Sequence, residues 1–202
     1  MAVLTPQLNT PLYSDGTASG KPAVDFWATL PRNWPAVPST TPPAPAKIWS
    51  YNDCEGDSYS PKWEIDFLPV NFRIQAGFLN QTQGASGLLY SAVDLWPNSD
   101  PWINGVTANV CGWPTFPGEG FLLYPAGDIG SSEPAASMRL KYLRDGIQDY
   151  EYVQILKNIG QGSNALSIIQ PIATDWRNWT KNTTALEGAR MRLGQTLNGL
   201  AP

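Results

Sequence analysis

GFLLYPAGDIGSSEPAASMRLKYLRDGIQDYEYVQIL, Gly120 to Leu156, carries an apolar run, a glycine turn and a charged helical pattern without a break. Phe121, Leu122, Leu123 and Tyr124 are closed by Pro125 and Gly127, the pattern of a short strand covered on both faces. Ser137 is placed to cap a helix whose apolar positions Leu140, Leu143, Ile147, Tyr150, Ile155 and Ile159 recur at helical spacing, with Gly160 and Gly162 as the stop. Arg139, Arg144, Asp145, Asp149 and Glu151 interleave with Tyr142, Tyr150 and Tyr152 on that helix, too many charges near the apolar face for a plain solvated surface. Asp145 and Asp149 stand four residues apart on one face, where two carboxylates repel unless a cation or backbone donor lies between them. Arg139, Arg144, Asp145 and Asp149 are therefore read as a structural network that anchors this helix.

Working outward, the same alternation of strand and helix recurs. Strands are expected at Ala2–Thr5, Val24–Thr29, Ile48–Asn52 and Leu88–Asp94, a helix at Asn71–Gln83, and two further helices at Ala165–Trp179 and Thr184–Leu197. Pro31–Pro45 reads as an extended proline-rich loop, and Ser99–Gly118 as a long loop rich in tryptophan, proline and glycine, a kind that is usually functional. Strands alternating with helices predict a parallel sheet, in which ligands meet the carboxyl ends of the strands. Those ends carry Asp25 and Trp27, then Trp49, Tyr51, Asn52 and Asp53, then Asp94 and Trp96, then Tyr124. Rings that stack on sugar faces beside amides and carboxylates that bind hydroxyls would form a substrate rim, with Trp49, Tyr51 and Trp96 at its centre.

Several motifs here resemble those of the glycoside hydrolase family 123 and domain of unknown function 4091 group. They are YPAGD (Tyr124 to Asp128), ASMRLKYLRDGIQDYEYVQIL (Ala136 to Leu156) and, upstream in the same order, VDFWATLP (Val24 to Pro31), KIWSYNDC (Lys47 to Cys54), IDFLPVNFRIQAGFLNQ (Ile65 to Gln81) and GLLYSAVDLW (Gly87 to Trp96). The resemblance covers roughly residues 1–160 and implies the C-terminal half of a (β/α)8 TIM-like barrel, with residues 161–202 as a helical tail packed on it. A closed barrel needs eight strands, more than this pattern supplies. The resemblance further implies a carbohydrate partner, an N-acetylhexosamine-containing glycan, and an extracellular or periplasmic location for the intact protein. Met1–Pro6 itself lacks a signal-peptide pattern. Enzymes of the family that act on β-linked N-acetylgalactosamine are understood to use an adjacent Asp-Glu pair, a departure from the usual two-carboxylate scheme. No Asp-Glu neighbours occur in this sequence, so no catalytic residue is assigned.

Composition limits the alternatives. The 202 residues, 42% hydrophobic and 15% charged, suit one globular unit, and nothing reads as a membrane span. A net charge of -4 and the lack of any Lys/Arg cluster argue against nucleic acid or anionic lipid as partner. Nine tryptophans and eight tyrosines against six phenylalanines favour rings with a polar tip, which suit wet concave sites. With no histidine, Ser-His and Cys-His chemistry is excluded, and any acid-base work falls to carboxylates, tyrosine or lysine. Cys54 and Cys111 form no CxxC motif and stand either as one disulfide or as two small buried residues. Asp53, Glu55 and Asp57 with Glu64 echo a calcium loop, but Ser58 replaces its glycine and Pro61 and Trp63 interrupt it, so no metal or other cofactor is expected. Two functions remain: part of a glycoside hydrolase that supplies the sugar-binding rim, or a noncatalytic carbohydrate-binding or scaffold module.

Overall fold

The computed structural model describes residues 15–19, 21–34, 47–54, 57–65, 68–96, 100–105 and 116–200, and the backbone of 2–4. It is a mixed α/β structure built on a small parallel sheet. Strands β1 (Ala2–Leu4), β2 (Phe26–Thr29), β3 (Lys47–Asn52) and β4 (Leu88–Tyr90) pair in the order β1-β2-β3-β4, every pairing parallel. Strand order that follows chain order is what successive strand-helix units produce, each crossover returning the chain beside the strand it left.

One long helical passage makes the crossover from β3 to β4. It runs from α1 (Val70–Ile74) through a π-helical turn (Gln75–Leu79) into α2 (Asn80–Gln83), and Gly84 ends it in the left-handed region. Ile48 packs into the helix-side core, Ser50 donates to Asn80 Oδ1 at 2.7 Å, and Asn52 donates to Gln75 Oε1 at 2.7 Å. Even-numbered β3 residues therefore face the helices, and by the two-residue period Trp49 and Tyr51 face the opposite side.

After the short helix α3 (Pro101–Asn104), the run Phe121–Tyr124 departs from expectation. Phe121 and Leu122 are fully buried, yet the ladder is only β5 (Leu123–Tyr124) against β6 (Ala135–Ala136), antiparallel and separate from the parallel sheet. The backbone before Phe121 is committed elsewhere. The Phe121 carbonyl accepts from Arg139, and Phe121 bridges Asp94 antiparallel, so this run forms no parallel strand beside β4.

Helix α4 (Met138–Asn158) starts as predicted, with Ser137 Oγ accepting from the Leu140 N–H at 3.2 Å. It crosses the π-helical turn at a glycine pair. A Cβ on Gly146 would lie 2.4 Å from the Arg73 carbonyl, and one on Gly77 2.8 Å from the Gly146 carbonyl, so any side chain would force the helices apart. Helix α5 (Gly162–Ile169) is shorter than the predicted helix over 165–179. Beyond it β7 (Ala173–Asp175) and β8 (Asn178–Trp179) form a hairpin whose turn is held by Asp175 Oδ1, which accepts from the N–H groups of Arg177 and Asn178. That Asx turn and Pro171 end the helical pattern. Helix α6 (Thr183–Leu200) buries Leu186, Ala189 and Leu193 against α4 and α5 in the larger core, and Trp63, Phe72 and Leu122 form a second core under the strand ends.

Candidate functional site

At the carboxyl end of β3 and β4 the structure collects Tyr51, Asp53, Glu64, Tyr90 and Glu119. The Tyr51 hydroxyl donates to Asp53 Oδ2 at 2.7 Å. Tyr90, the last residue of β4, sets its ring 4.8 Å from Trp63 in a tilted arrangement, and its oxygen accepts from the Gly120 N–H at 2.9 Å. Glu64 and Glu119 are each 2% exposed, and Glu119 is the centre of the group.

Glu119 is placed by its backbone. Gly118 and Gly120 on either side adopt φ +74 and +75, which a side chain would strain. A Cβ at Gly118 would also strike Ile65 at 2.3 Å, and one at Gly120 would strike Leu95 at 2.5 Å. Arg139 secures the turn from below: its guanidinium donates to the carbonyls of Trp63 (3.2 Å), Gly118 (2.8 Å) and Phe121, and lies over the Phe72 ring. Arg139 thus acts on three carbonyls, and no carboxylate among the described residues pairs with it.

Burial pushes the Glu119 carboxyl up to about 7, and the nearby charges of Glu64 and Asp53 push the same way. The Tyr90 hydroxyl and the Cys54 amide favour its ionised form, but neither completes a hydrogen bond of normal geometry. Burial also raises Tyr51 and Tyr90 above the usual phenol range, Asp53 adding to the first shift and Glu119 to the second, so both hydroxyls keep their protons at neutral pH. Cys54, next to Asp53, has φ 44, uncommon for a residue with a Cβ, and its sulfur is in a disulfide. Cys111, the other cysteine of the sequence, lies outside the described residues. The result is a set of hydroxyl and carboxyl groups able to donate and accept, suited to a polyhydroxylated ligand. Among the described residues no group of three or more His, Cys, Asp or Glu is arranged to hold a metal ion.

The predicted rim residues divide between two faces. Trp49 and Tyr51 share the face away from the helices, Trp49 lying over Gly87, where an added Cβ would come within 2.7 Å of the indole, and 4.7 Å from the Phe26 ring. Trp27 pairs in register with Ile48, faces the helices and is fully buried. Asn52 is buried on the same side, its amide donating to the Pro61 carbonyl and to Gln75. Asp25 is exposed before β2, at the opposite end from the cluster, and its carbonyl accepts from the Lys47 N–H. Trp96 is half-buried and donates to the Leu123 carbonyl at 3.0 Å.

The four helix charges also divide. Asp149, 1% exposed, accepts from Arg73 Nε at 2.6 Å and from Arg190 at 3.0 Å, and Arg73 reaches Glu187 as well. Among the described residues, the Arg144 and Asp145 side chains pair only with each other, at the surface. Sequence reading missed Glu119, Glu64 and Tyr90. The signal for the first was a lone acid between two glycines at the end of a loop already marked as functional, and for Glu64 an acid flanked by Trp63 and Ile65.

The family model for the glycoside hydrolase 123 catalytic domain matches residues 47–156. The fold is similar to that of a family 123 glycoside hydrolase from Clostridium perfringens, described in connection with glycolipid glycan hydrolysis, with a TM-score of 0.56 and 17% sequence identity. The likeness covers 87% of this chain and 32% of that enzyme, so the chain spans about a third of its length. No curated protein matches.

Proposed function

The chain belongs to the glycoside hydrolase 123 catalytic-domain family, and from that premise we propose that it is part of a (β/α)8-barrel glycosidase whose sugar-binding rim includes Tyr51, Asp53, Glu119 and Trp49. The observation that carries this reading is Glu119: a buried carboxyl at the strand ends, held by two left-handed glycines and pushed up to about 7. A carboxyl that keeps its proton near neutrality can donate to a sugar hydroxyl or a glycosidic oxygen, a role an ordinary carboxylate cannot fill. Tyr51 with Asp53 offers a second donor-acceptor pair, and the half-buried Trp49 a ring at which a sugar face can stack.

Four parallel strands in chain order are what one half of such a barrel supplies. An N-acetylhexosamine-containing glycan is the proposed substrate. The Cys54 disulfide fits export to an oxidising compartment, extracellular or periplasmic. The absence of adjacent Asp and Glu from the sequence favours one competing reading, a noncatalytic carbohydrate-binding module.

The test is tryptophan fluorescence of the cooperatively melting 202-residue chain, titrated with N-acetylgalactosamine, N-acetylglucosamine and galactose. Saturable binding by an acetamido sugar, weakened about tenfold or more in Glu119→Ala, is the expected result, since a buried hydrogen bond to a charged or strongly polar partner is worth that much. A folded chain with no sugar response would overturn the rim. Binding without turnover of an aryl N-acetylhexosaminide would select the noncatalytic reading.

A further inference from the structure

A cavity of about 250 Å³ lies at the amino end of α1, hence at the same end of the sheet as Glu119, and is lined by Asp57, Tyr59, Lys62, Asn71, Trp179 and Lys181. Its walls come from the loop that leaves β3 and from the β7–β8 hairpin. They are tied together where the Trp179 indole N–H meets Asn71 Oδ1 at 3.4 Å and the Asn71 amide donates to the Lys62 carbonyl at 3.0 Å. The cavity is therefore a built feature of two elements far apart in sequence. Asp57 and Asp53, four residues apart, are separated by at most about 14 Å of extended chain.

Among the described residues its lining carries two lysines, Lys62 and Lys181, and one carboxylate, Asp57. Lys62 is buried and pairs with Asp57 at 3.4 Å. The Asp57 carboxylate is already engaged by its own turn, accepting from the Tyr59 and Ser60 N–H groups and the Ser60 hydroxyl. Lys181 has no carboxylate partner among the described residues; its ammonium sits 3.0 Å above the Trp179 ring. Arg177 lies over the Tyr59 ring at 4.4 Å and adds a third positive group nearby. The Asp175 carboxylate beside it is held by the hairpin turn. Partial desolvation lowers the amine of Lys181, an exposed residue, to about 8.

We propose that this cavity is a subsite for a carboxylate-bearing sugar residue, with Lys181 as the carboxylate's partner and the Tyr59 hydroxyl and Asn71 amide facing its hydroxyls. A neutral sugar would leave Lys181 as it is, and an apolar ligand would strand the cavity's polar groups. An acidic sugar satisfies both, because the ammonium gains a charge-assisted hydrogen bond while it stays over the Trp179 ring. The proposal rests on the glycosidase reading above and extends it: the enzyme would accept acidic glycans, held at one end by the rim and at the other by Lys181.

The test uses the 202-residue chain titrated with N-acetylneuraminic acid, glucuronic acid, galactose and inorganic sulfate, followed by tryptophan fluorescence and by the ammonium signal of Lys181 in NMR. The acidic sugars should bind at least about tenfold more tightly than galactose, lose that advantage in Lys181→Gln, keep most of it in Lys181→Arg, and weaken as salt is raised. Equal affinity for galactose, or an unchanged affinity in Lys181→Gln, would overturn the subsite. Sulfate binding as tightly as the acidic sugars would overturn it too, since the cavity would then be a general anion site. If Lys181→Gln fails to melt cooperatively, the salt dependence and the Lys181 NMR shift of the unaltered chain decide the matter. Neutral N-acetylhexosamines report on the rim separately: their loss in Glu119→Ala with acidic-sugar binding intact concerns the rim alone, and loss confined to Lys181→Gln concerns this cavity alone.

Discussion

Two buried charged groups in this molecule obey opposite rules. Between the helices, Asp149 lies under Arg73 and Arg190, and Arg73 reaches on to Glu187, so each buried charge meets its opposite. At the strand ends, Glu119, Glu64 and Asp53 are gathered with two tyrosines, and the nearby cation Arg139 spends its donors on backbone carbonyls. Matched charges fix two elements against each other and leave nothing for a ligand. Like charges held together by backbone constraint shift toward the neutral form and keep hydrogen-bonding capacity in reserve.

The sharpest way to break the first group is Asp149→Ala. Arg73, only 5% exposed, would lose both of its Asp149 contacts and keep Glu187, whose side chain is 57% exposed, and breaking a buried pair by removing one partner costs about 3–5 kcal/mol. A drop in Tm of that scale, partly recovered in the double variant Arg73→Met/Asp149→Ala, is the expected outcome. A melting point within a degree of the parent would show that the pair contributes little and that the glycine crossing alone holds α4 to α1.

How much of this was legible in the sequence follows from the range of each interaction. The Ser137 cap, the helical span of α4 and the strands β2 and β3 are local, and they stand where propensity and periodicity put them; the buried face of α4 does not, because Gly146, Asp149, Val153 and Leu156 turn inward while Ile147, Ile155 and Ile159 of the expected apolar stripe are exposed. The Phe121–Tyr124 run was misread because its fate depends on Arg139, 18 residues from Phe121, which claims the carbonyl a parallel partner would need. The helix over 165–179 was overextended because the Asp175 side chain closes a turn inside an otherwise helical pattern. Of the proposed rim residues, Tyr51 and Asp53 stand together at the end of β3. The face each strand residue takes was not legible in runs this short: Trp27 and Asn52 turn toward the helices while Trp49 and Tyr51 turn away. Glu119 escaped because its burial is a property of the loop closing over it, and only its two flanking glycines hinted at a fixed backbone.

The second group is broken by pH. Glu119 titrates near 7 when folded against an ordinary value of 4.5, so the folded chain binds the extra proton between those values. Stability from this group is therefore fully present below about 4.5 and is lost as pH rises through about 7, by on the order of 3 kcal/mol. Denaturant melts of the parent should show that decline, and Glu119→Gln, neutral at every pH, should flatten it. A parent and variant with parallel stability profiles would mean that Glu119 is ionised throughout and that the acid cluster is solvated.

The smallest effect belongs to Arg144→Ala, and it sharpens the contrast because Arg144 sits on the same helix as Asp149 and also pairs with a carboxylate. Its partner Asp145 is the adjacent residue, and the two side chains are 64% and 31% exposed, so water and salt screen the pair and neither charge is stranded when the other is removed. Exposed pairs of this kind contribute about 0–1 kcal/mol. Arg144→Ala should therefore leave Tm nearly unchanged, whereas the loss of Asp149, one turn further along, unfolds the contact between helices. A large destabilisation by Arg144→Ala would mean that the surface pair is coupled to the buried one through the Asp145 carbonyl, which accepts from Arg190 at 3.4 Å, and that the two halves of the helix charge pattern act as one network.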